Sequence, residues 1–178
     1  MDGALSLALA RFPDVEATGQ QTGFQVPTCI GPSHIDGAGL GRFSVEDIKK
    51  GTVIRVQKIG GESLAAYRCE EDLARTLKEE GIDHIKDFGH TGPQDQSQTC
   101  GILFVNRPPL FGNHCSGGKE NIEVVWEGNL KTVRATRDIE AGEEMLLDYK
   151  KYGQLQWYED MLEKHGLPSV RQLGEQLG

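Results

Sequence analysis

Three short stretches of this chain carry residue types that could do chemistry. Gly37-Ala38-Gly39-Leu40-Gly41 sets three glycines within five positions, and closely spaced glycines let a ligand touch the backbone. A dinucleotide loop needs a strand before the glycines and a helix after them. Here a short strand, Leu40 to Val45, follows instead, so that reading fails and a plain glycine turn remains the commoner one. Phe111-Gly112-Asn113-His114-Cys115 puts an imidazole beside a thiol, but sequence neighbours seldom face one another as a Cys-His nucleophile pair must. A metal would need further ligands, and taken alone the segment reads as a polar loop satisfied by its own backbone. Leu146-Leu147-Asp148-Tyr149 reads as the end of a strand, where a phenol is by default half-buried with its hydroxyl in water.

The frame that must position these residues is a single domain, for which 178 residues suffice. With 23 glycines and 37% apolar residues, the chain reads as many short strands joined by loops, with few helices. The net charge of −8 and a pI near 5.1 argue against direct nucleic-acid binding and against an anionic membrane surface. The same acidity is compatible with a basic peptide partner. Cys29, Cys69, Cys100 and Cys115 form no Cys-x-x-Cys pair, so they predict neither a zinc cluster nor a disulfide framework. They read as reduced thiols of an intracellular protein, nucleus and cytoplasm being equally open. The apolar run Ala4 to Ala10 is too short to span a bilayer, and Asp2 is the only charge before it, so neither a membrane span nor a signal peptide is expected.

Residues 1–25 hold no strong pattern beyond that run and are expected to form an N-terminal extension. Leu40 to Val45 and the β-branched run Thr52 to Val56 predict strands, with Asp47-Ile48-Lys49-Lys50-Gly51 as the turn between them. Leu73 and Leu77 share one face of a helix over 70–80, stopped by Gly81. Residues 86–99 are polar with Gly and Pro and read as a loop, and Gly101 to Val105 as a buried strand. Asn121 to Trp126 alternates, and Glu127-Gly128-Asn129 turns it into a second strand through Val133. Asp138-Ile139-Glu140-Ala141-Gly142 echoes Asp47 to Gly51, which predicts two similar strand-turn-strand corners. Leu155, Tyr158 and Leu162 mark a helix stopped by Gly166, and Ser169 with Gln172 a capping box for a last short helix.

Each motif is ambiguous alone, but their order and spacing resemble the SET-domain family. In this chain the pattern runs from a glycine-flanked GxGLG, through Asp-Ile-Lys-Lys-Gly, to Asn-His-Cys two-thirds along, where the family has Asn-His-Ser. It ends on Arg-Asp-Ile-Glu-Ala-Gly-Glu-Glu leading into Asp-Tyr. The resemblance covers about 31–152, with a divergent middle at 60–99. It implies a mainly β, α+β fold of small twisted sheets with a knot-like C-terminal crossing. The SET domain is then expected at 26–153, with its variable insert at about 60–99 and a C-terminal helical segment at 154–178. The activity implied is transfer of a methyl group from S-adenosylmethionine to a lysine side chain of a protein, a histone or its basic tail being one such substrate. S-adenosylhomocysteine is the product and no metal is required.

Carried over residue by residue, the resemblance makes Tyr149 the catalytic tyrosine. Gly37, Ala38, Gly39 and Leu40, with Asn113 and His114, would hold the cofactor, and Leu147, Tyr149 and Tyr152 would line the substrate channel. No cysteine-rich zinc segment flanks the domain, so an aromatic such as Trp157 is expected to close the cofactor pocket. Three positions depart from the family pattern: Leu110 stands for an arginine, Cys115 for a serine and Leu147 for a phenylalanine or tyrosine. The rival readings are a SET-like peptide-binding module without catalysis and, lower, a thiol hydrolase built on Cys115. Retention of Tyr149 with Asn113 and His114 favours the enzyme.

Overall fold

The computed structural model describes residues 15–16, 22–82, 85, 89–92, 101–115, 117–168 and 170–177. Its strands are β1 (Val15–Glu16), β2 (Thr28–Pro32), β3 (Leu40–Ser44), β4 (Val53–Lys58), β5 (Leu64–Tyr67) and β6 (Gly89–Thr91). They continue with β7 (Leu103–Asn106), β8 (Asn113–His114), β9 (Ile122–Glu127), β10 (Leu130–Ala135) and β11 (Leu146–Leu147). Three α-helices, α1 (Glu70–Glu80), α2 (Gln156–Lys164) and α3 (Val170–Leu177), and one turn of 3-10 helix (Tyr149–Lys151) follow among the described elements. The chain is thus mainly β, as expected, and is divided among small sheets ordered β1-β2-β3, β4-β10-β9 and β5-β7-β6, with a separate β8-β11 pair.

The β9–β10 hairpin turns at Gly128, whose φ of 59° a residue with a Cβ adopts only under strain. Along β10 the side chains alternate, placing Lys131, Val133 and Ala135 inside. Helix α1 lays Leu73 on the core and ends where the Gly81 N–H bonds the Leu77 carbonyl at 3.0 Å. One apolar cluster joins Phe24, Ile48, Ile54, Leu110, Ile139, Met145 and Leu147. A second joins Leu73, Ile85, Leu103, Tyr158, Met161 and Leu162.

Several expectations change. Residues 15–16 pair with β2, and Phe24 is buried between two guanidinium groups, 4.2 Å from Arg42 and 4.5 Å from Arg55, so the folded unit takes in 15–16 and 22–25. The predicted loop at 86–99 contains β6, which owes its form to pairing with β7 and not to any pattern of its own. Ser169 of the predicted capping box, Cys100 and the Ala4–Ala10 run lie outside the described residues. Among the described residues no helix is long and apolar enough to cross a membrane.

Candidate functional site

Two buried arginines bring the chain to the site. Arg42 donates from Nε to the Leu110 carbonyl at 2.7 Å and from Nη2 to the Pro109 carbonyl at 3.0 Å, while Arg55 Nη2 reaches the Pro108 carbonyl at 2.9 Å. Burying a guanidinium is tolerable where its donors find acceptors, and here the acceptors are the carbonyls of the segment that leads into β8. Leu110, one of the three family departures, is itself buried in the first cluster.

Strand β8 lies parallel to β11, with Asn113 opposite Leu146 and His114 opposite Leu147. Asn121 steadies this crossing, accepting from the Leu146 N–H at 2.8 Å and donating to the Glu144 carbonyl at 2.7 Å. Beyond Leu147 the strand stops. Asp148 accepts from the Lys150 N–H at 3.0 Å and turns Tyr149–Lys151 into one turn of 3-10 helix, so Tyr149 is not the strand residue expected. The turn brings the Tyr149 ring within 5.2 Å of the His114 ring, its N–H 3.1 Å from His114 Nδ1, and its hydroxyl, donating, 2.8 Å from the Gly112 carbonyl.

That contact assigns the tautomer of His114. Nδ1 accepts from a backbone N–H, so the neutral ring carries its proton on Nε2. Burial holds the His114 pKa below the usual value, Asp148 opposing it, and only 5% of the residue is exposed. Its Nε2–H is buried with no partner among the described residues.

Asn113 commits its amide nitrogen to the Leu40 carbonyl and to Glu144 Oε1, both at 2.9 Å. Glu144, 3% exposed, also accepts from Ser33 Oγ and from the His34 N–H, each at 2.7 Å. The Glu144 carboxylate therefore ties the segment before the glycine stretch to Asn113, which itself holds the Leu40 carbonyl at the other end, a role that sequence reasoning missed. Glu144 was visible only as part of Gly-Glu-Glu. The glycine that makes room is Gly41, also missed: a Cβ there would collide with the Glu144 carboxylate and come within 3.2 Å of the Asn113 amide nitrogen. Gly37 and Gly39, at φ of 76° and 73°, have open space where a side chain would stand, and Leu40 is 49% exposed.

The remaining expected residues divide. Leu147 is buried against Gly112, and the Tyr152 ring lies 6.0 Å from that of Tyr149. Trp157, on α2, packs against the second apolar cluster, with its indole Nε1 buried and unpartnered among the described residues. The contact on the Tyr149 turn comes instead from α3, whose Gly174 would place a Cβ 2.8 Å from Tyr149 Cβ. Among the described residues no group of three His, Cys, Asp or Glu side chains could hold a metal ion.

No curated protein sequence matches this chain significantly. Among solved structures it resembles a Polycomb repressive complex, ctPRC2, in an autoinhibited conformation bound to S-adenosylmethionine. The TM-score there is 0.50 and the identity 18%, over 78% of this chain and 17% of that one. It also resembles Chaetomium thermophilum Polycomb Repressive Complex 2 bound to GSK126, at TM-score 0.47 and 21% identity over 76% and 17% of the two chains. A Plasmodium falciparum protein named as a candidate histone methyltransferase aligns at TM-score 0.43 and 23% identity over 68% and 91%. The chain thus spans under a fifth of the Polycomb chains, and at these identities the likeness shows the fold alone. The SET-domain family model matches residues 39–150, well over half of the 178 residues, a span that contains Asn113, His114, Glu144 and Tyr149, and the chain belongs to the SET-domain family.

Proposed function

We propose that this protein transfers a methyl group from S-adenosylmethionine to the side-chain amine of a lysine on a protein substrate, a histone being one candidate. The observation that carries the reading is the convergence on Tyr149. Its hydroxyl is pinned to the Gly112 carbonyl, its backbone to His114, and its ring stands against Tyr152.

The residues fit the cofactor. His114 Nε2–H is a buried donor without an acceptor among the described residues, and such a group is costly unless a ligand completes it. Asn113, with both amide hydrogens spent on the fold, keeps Oδ1 to accept from a ligand. Gly37, Gly39 and Leu40 are exposed, with Ala38 half-buried between them, and the stretch lies beside Asn113 through its bond to the Leu40 carbonyl. When bound, S-adenosylmethionine supplies a methyl group on a positively charged sulfur, open to attack by an amine.

The task left to the protein is alignment of that amine and selection of its neutral form. A channel walled by Leu147, Tyr149 and Tyr152 disfavours the charged ammonium by desolvation. The Tyr149 O–H is donated to the Gly112 carbonyl, which fixes the direction of the hydroxyl and leaves its oxygen lone pairs for the reacting groups. Tyr149 therefore positions, and it is not cast as a base. Leu147 brings no hydroxyl to hold a water beside the amine, which supports products beyond the monomethyl state.

Incubation with isotopically labelled S-adenosylmethionine and a panel of basic proteins, read by mass spectrometry, tests the reading. Labelled lysine with the wild type and none with Tyr149→Phe is the expected result. Measurable binding of S-adenosylhomocysteine without transfer to any protein would leave the non-catalytic binding module instead.

A further inference from the structure

Lys131 is fully buried, with 0% exposure, because the alternation along β10 turns it inward. Its Nζ lies 2.7 Å from His90 Nε2 and 2.8 Å from Asn106 Oδ1, and no carboxylate among the described residues pairs with it. A buried amine without a counterion is an expensive arrangement. What it accomplishes is visible in His90. The Nδ1 of that ring stands 3.2 Å from the Thr91 carbonyl, which can only accept, so Nδ1 carries the proton and Nε2 accepts from Lys131. Both ring nitrogens are engaged and the ring plane is held.

The held ring faces the candidate site. His90 lies 5.3 Å from the Tyr152 ring at 33°, and Tyr152 lies 6.0 Å from Tyr149. Backbone contacts clamp the same place: the Gly153 N–H reaches the Gly92 carbonyl at 3.1 Å, and Thr91 Oγ1 reaches the Gly153 carbonyl at 2.6 Å. Strand β6 and hairpin β9–β10 thus meet directly behind Tyr152.

We infer that His90, locked by Lys131, is a positioning residue that fixes Tyr152 against Tyr149 and so sets the width of the lysine channel. This rests on the methyltransferase reading for its consequence in turnover, but its geometric content stands without it. His90 touches no reacting group and acts through Tyr152. Lys131 serves by holding the ring.

The test compares two double variants. His90→Phe/Lys131→Met keeps a ring and removes the polar pair, and His90→Ala/Lys131→Met removes the ring. The first readout needs no activity. The chain has four tyrosines, so ring carbon resonances can be assigned by single Tyr→Phe variants. In the ring-less variant the Tyr152 and Tyr149 signals should shift, while Tyr67, bonded through its hydroxyl to Thr76 at 2.7 Å, stays in place. In the ring-keeping variant all should stay near wild type. The second readout is kinetic. The ring-less variant should lose on the order of tenfold in kcat, since a 1 Å misplacement costs up to about a hundredfold. Its products should shift to higher methylation, its Kd for S-adenosylhomocysteine should hold within about twofold, and the loss should vanish in a Tyr152→Ala background. If the ring-less variant does not fold, His90→Leu/Lys131→Met, which removes the ring at a smaller loss of volume, carries the resonance test. An unmoved Tyr152 signal overturns the inference whether or not the protein methylates anything. Equal loss in both double variants, or additivity with Tyr152→Ala, overturns it too. An inactive wild type overturns the functional reading, and the tyrosine signals then decide the inference by themselves.

Discussion

Ile48 and Ile139 clasp one another in an antiparallel bridge, each donating its N–H to the other's carbonyl at 2.8 Å. They are the matching residues of the two Asp-Ile-x-x-Gly corners, and the corners are joined by near two-fold symmetry. Asp138 accepts from the Lys50 N–H at 2.8 Å and Asp47 from the Ala141 N–H at 3.0 Å. The Gly51 N–H meets the Ala135 carbonyl at 2.8 Å and the Gly142 N–H the Ser44 carbonyl at 2.7 Å. Two residues past Gly142 comes Glu144, so the clasp sets the carboxylate that gathers Ser33, His34 and Asn113.

Both aspartates should matter to stability, and unequally. Asp47→Ala loses one backbone contact, whereas Asp138→Ala also loses the 2.8 Å ion pair with Lys49. Thermal unfolding should therefore show the larger fall in Tm for Asp138→Ala. Salt should narrow the gap, because that pair is exposed and screened. Equal falls at every salt concentration would mean that the ion pair contributes nothing.

Asn113→Ala should leave a folded protein, since the two hydrogen bonds it forfeits contribute about 1 kcal/mol each. It unties the glycine stretch from β8, however, and Glu144 loses a donor. Calorimetric titration with S-adenosylhomocysteine should show affinity reduced at least about tenfold. Unchanged affinity would remove Asn113 from the cofactor site.

Trp157→Ala should act on stability, because the indole packs against the second cluster. A loss of about 2–4 kcal/mol is expected from chemical denaturation, with the Kd for S-adenosylhomocysteine within about twofold of wild type. Weakened binding at intact stability would restore Trp157 as the cover of the pocket.

Gly174→Ala separates helix propensity from contact. In an exposed helix this change would stabilise by up to about 1 kcal/mol. Here the added methyl would fall 2.8 Å from Tyr149 Cβ and 3.3 Å from the Lys150 nitrogen, so α3 must lift from the Tyr149 turn. No gain in Tm and a several-fold drop in kcat with unchanged cofactor affinity are expected. A higher Tm with full activity would show that the turn yields without consequence.

The buried amine predicts a pH dependence of stability. Burial holds Lys131 well below its ordinary pKa of 10.5, and burial together with Lys131 holds His90 well below 6.5. Between each folded and unfolded pKa the unfolded chain binds more protons, so stability rises with pH through that interval. For Lys131 the rise continues up to 10.5. Denaturation of wild type and Lys131→Met from about pH 8 to about pH 10 should show the wild type gaining on the variant as pH increases. Parallel curves would mean that Lys131 is charged in the fold.

Local patterns sufficed for much of this protein. The turn at Gly128 and the alternation on either side of it predicted the β9–β10 hairpin, and Leu73, Leu77 and Gly81 delimited α1. The two Asp-Ile-x-x-Gly corners were evident as an echo, and the order of Asn113-His114 and Asp148-Tyr149 pointed to the family. These features depend on a residue and its near neighbours, through side-chain period, turn geometry and helix stops. The tertiary structure alone decided the rest. The parallel pairing of two two-residue strands set Tyr149 beside His114, and the collision space at Gly41 singled it out from Gly37 and Gly39. Pairing with β7 made a strand of Gly89–Thr91 and brought His90 to Lys131. Trp157 was placed against the second cluster and Gly174 against the Tyr149 turn by the packing of helices α2 and α3. Such contacts form between segments distant in sequence, where packing chooses the partner and no local period encodes it.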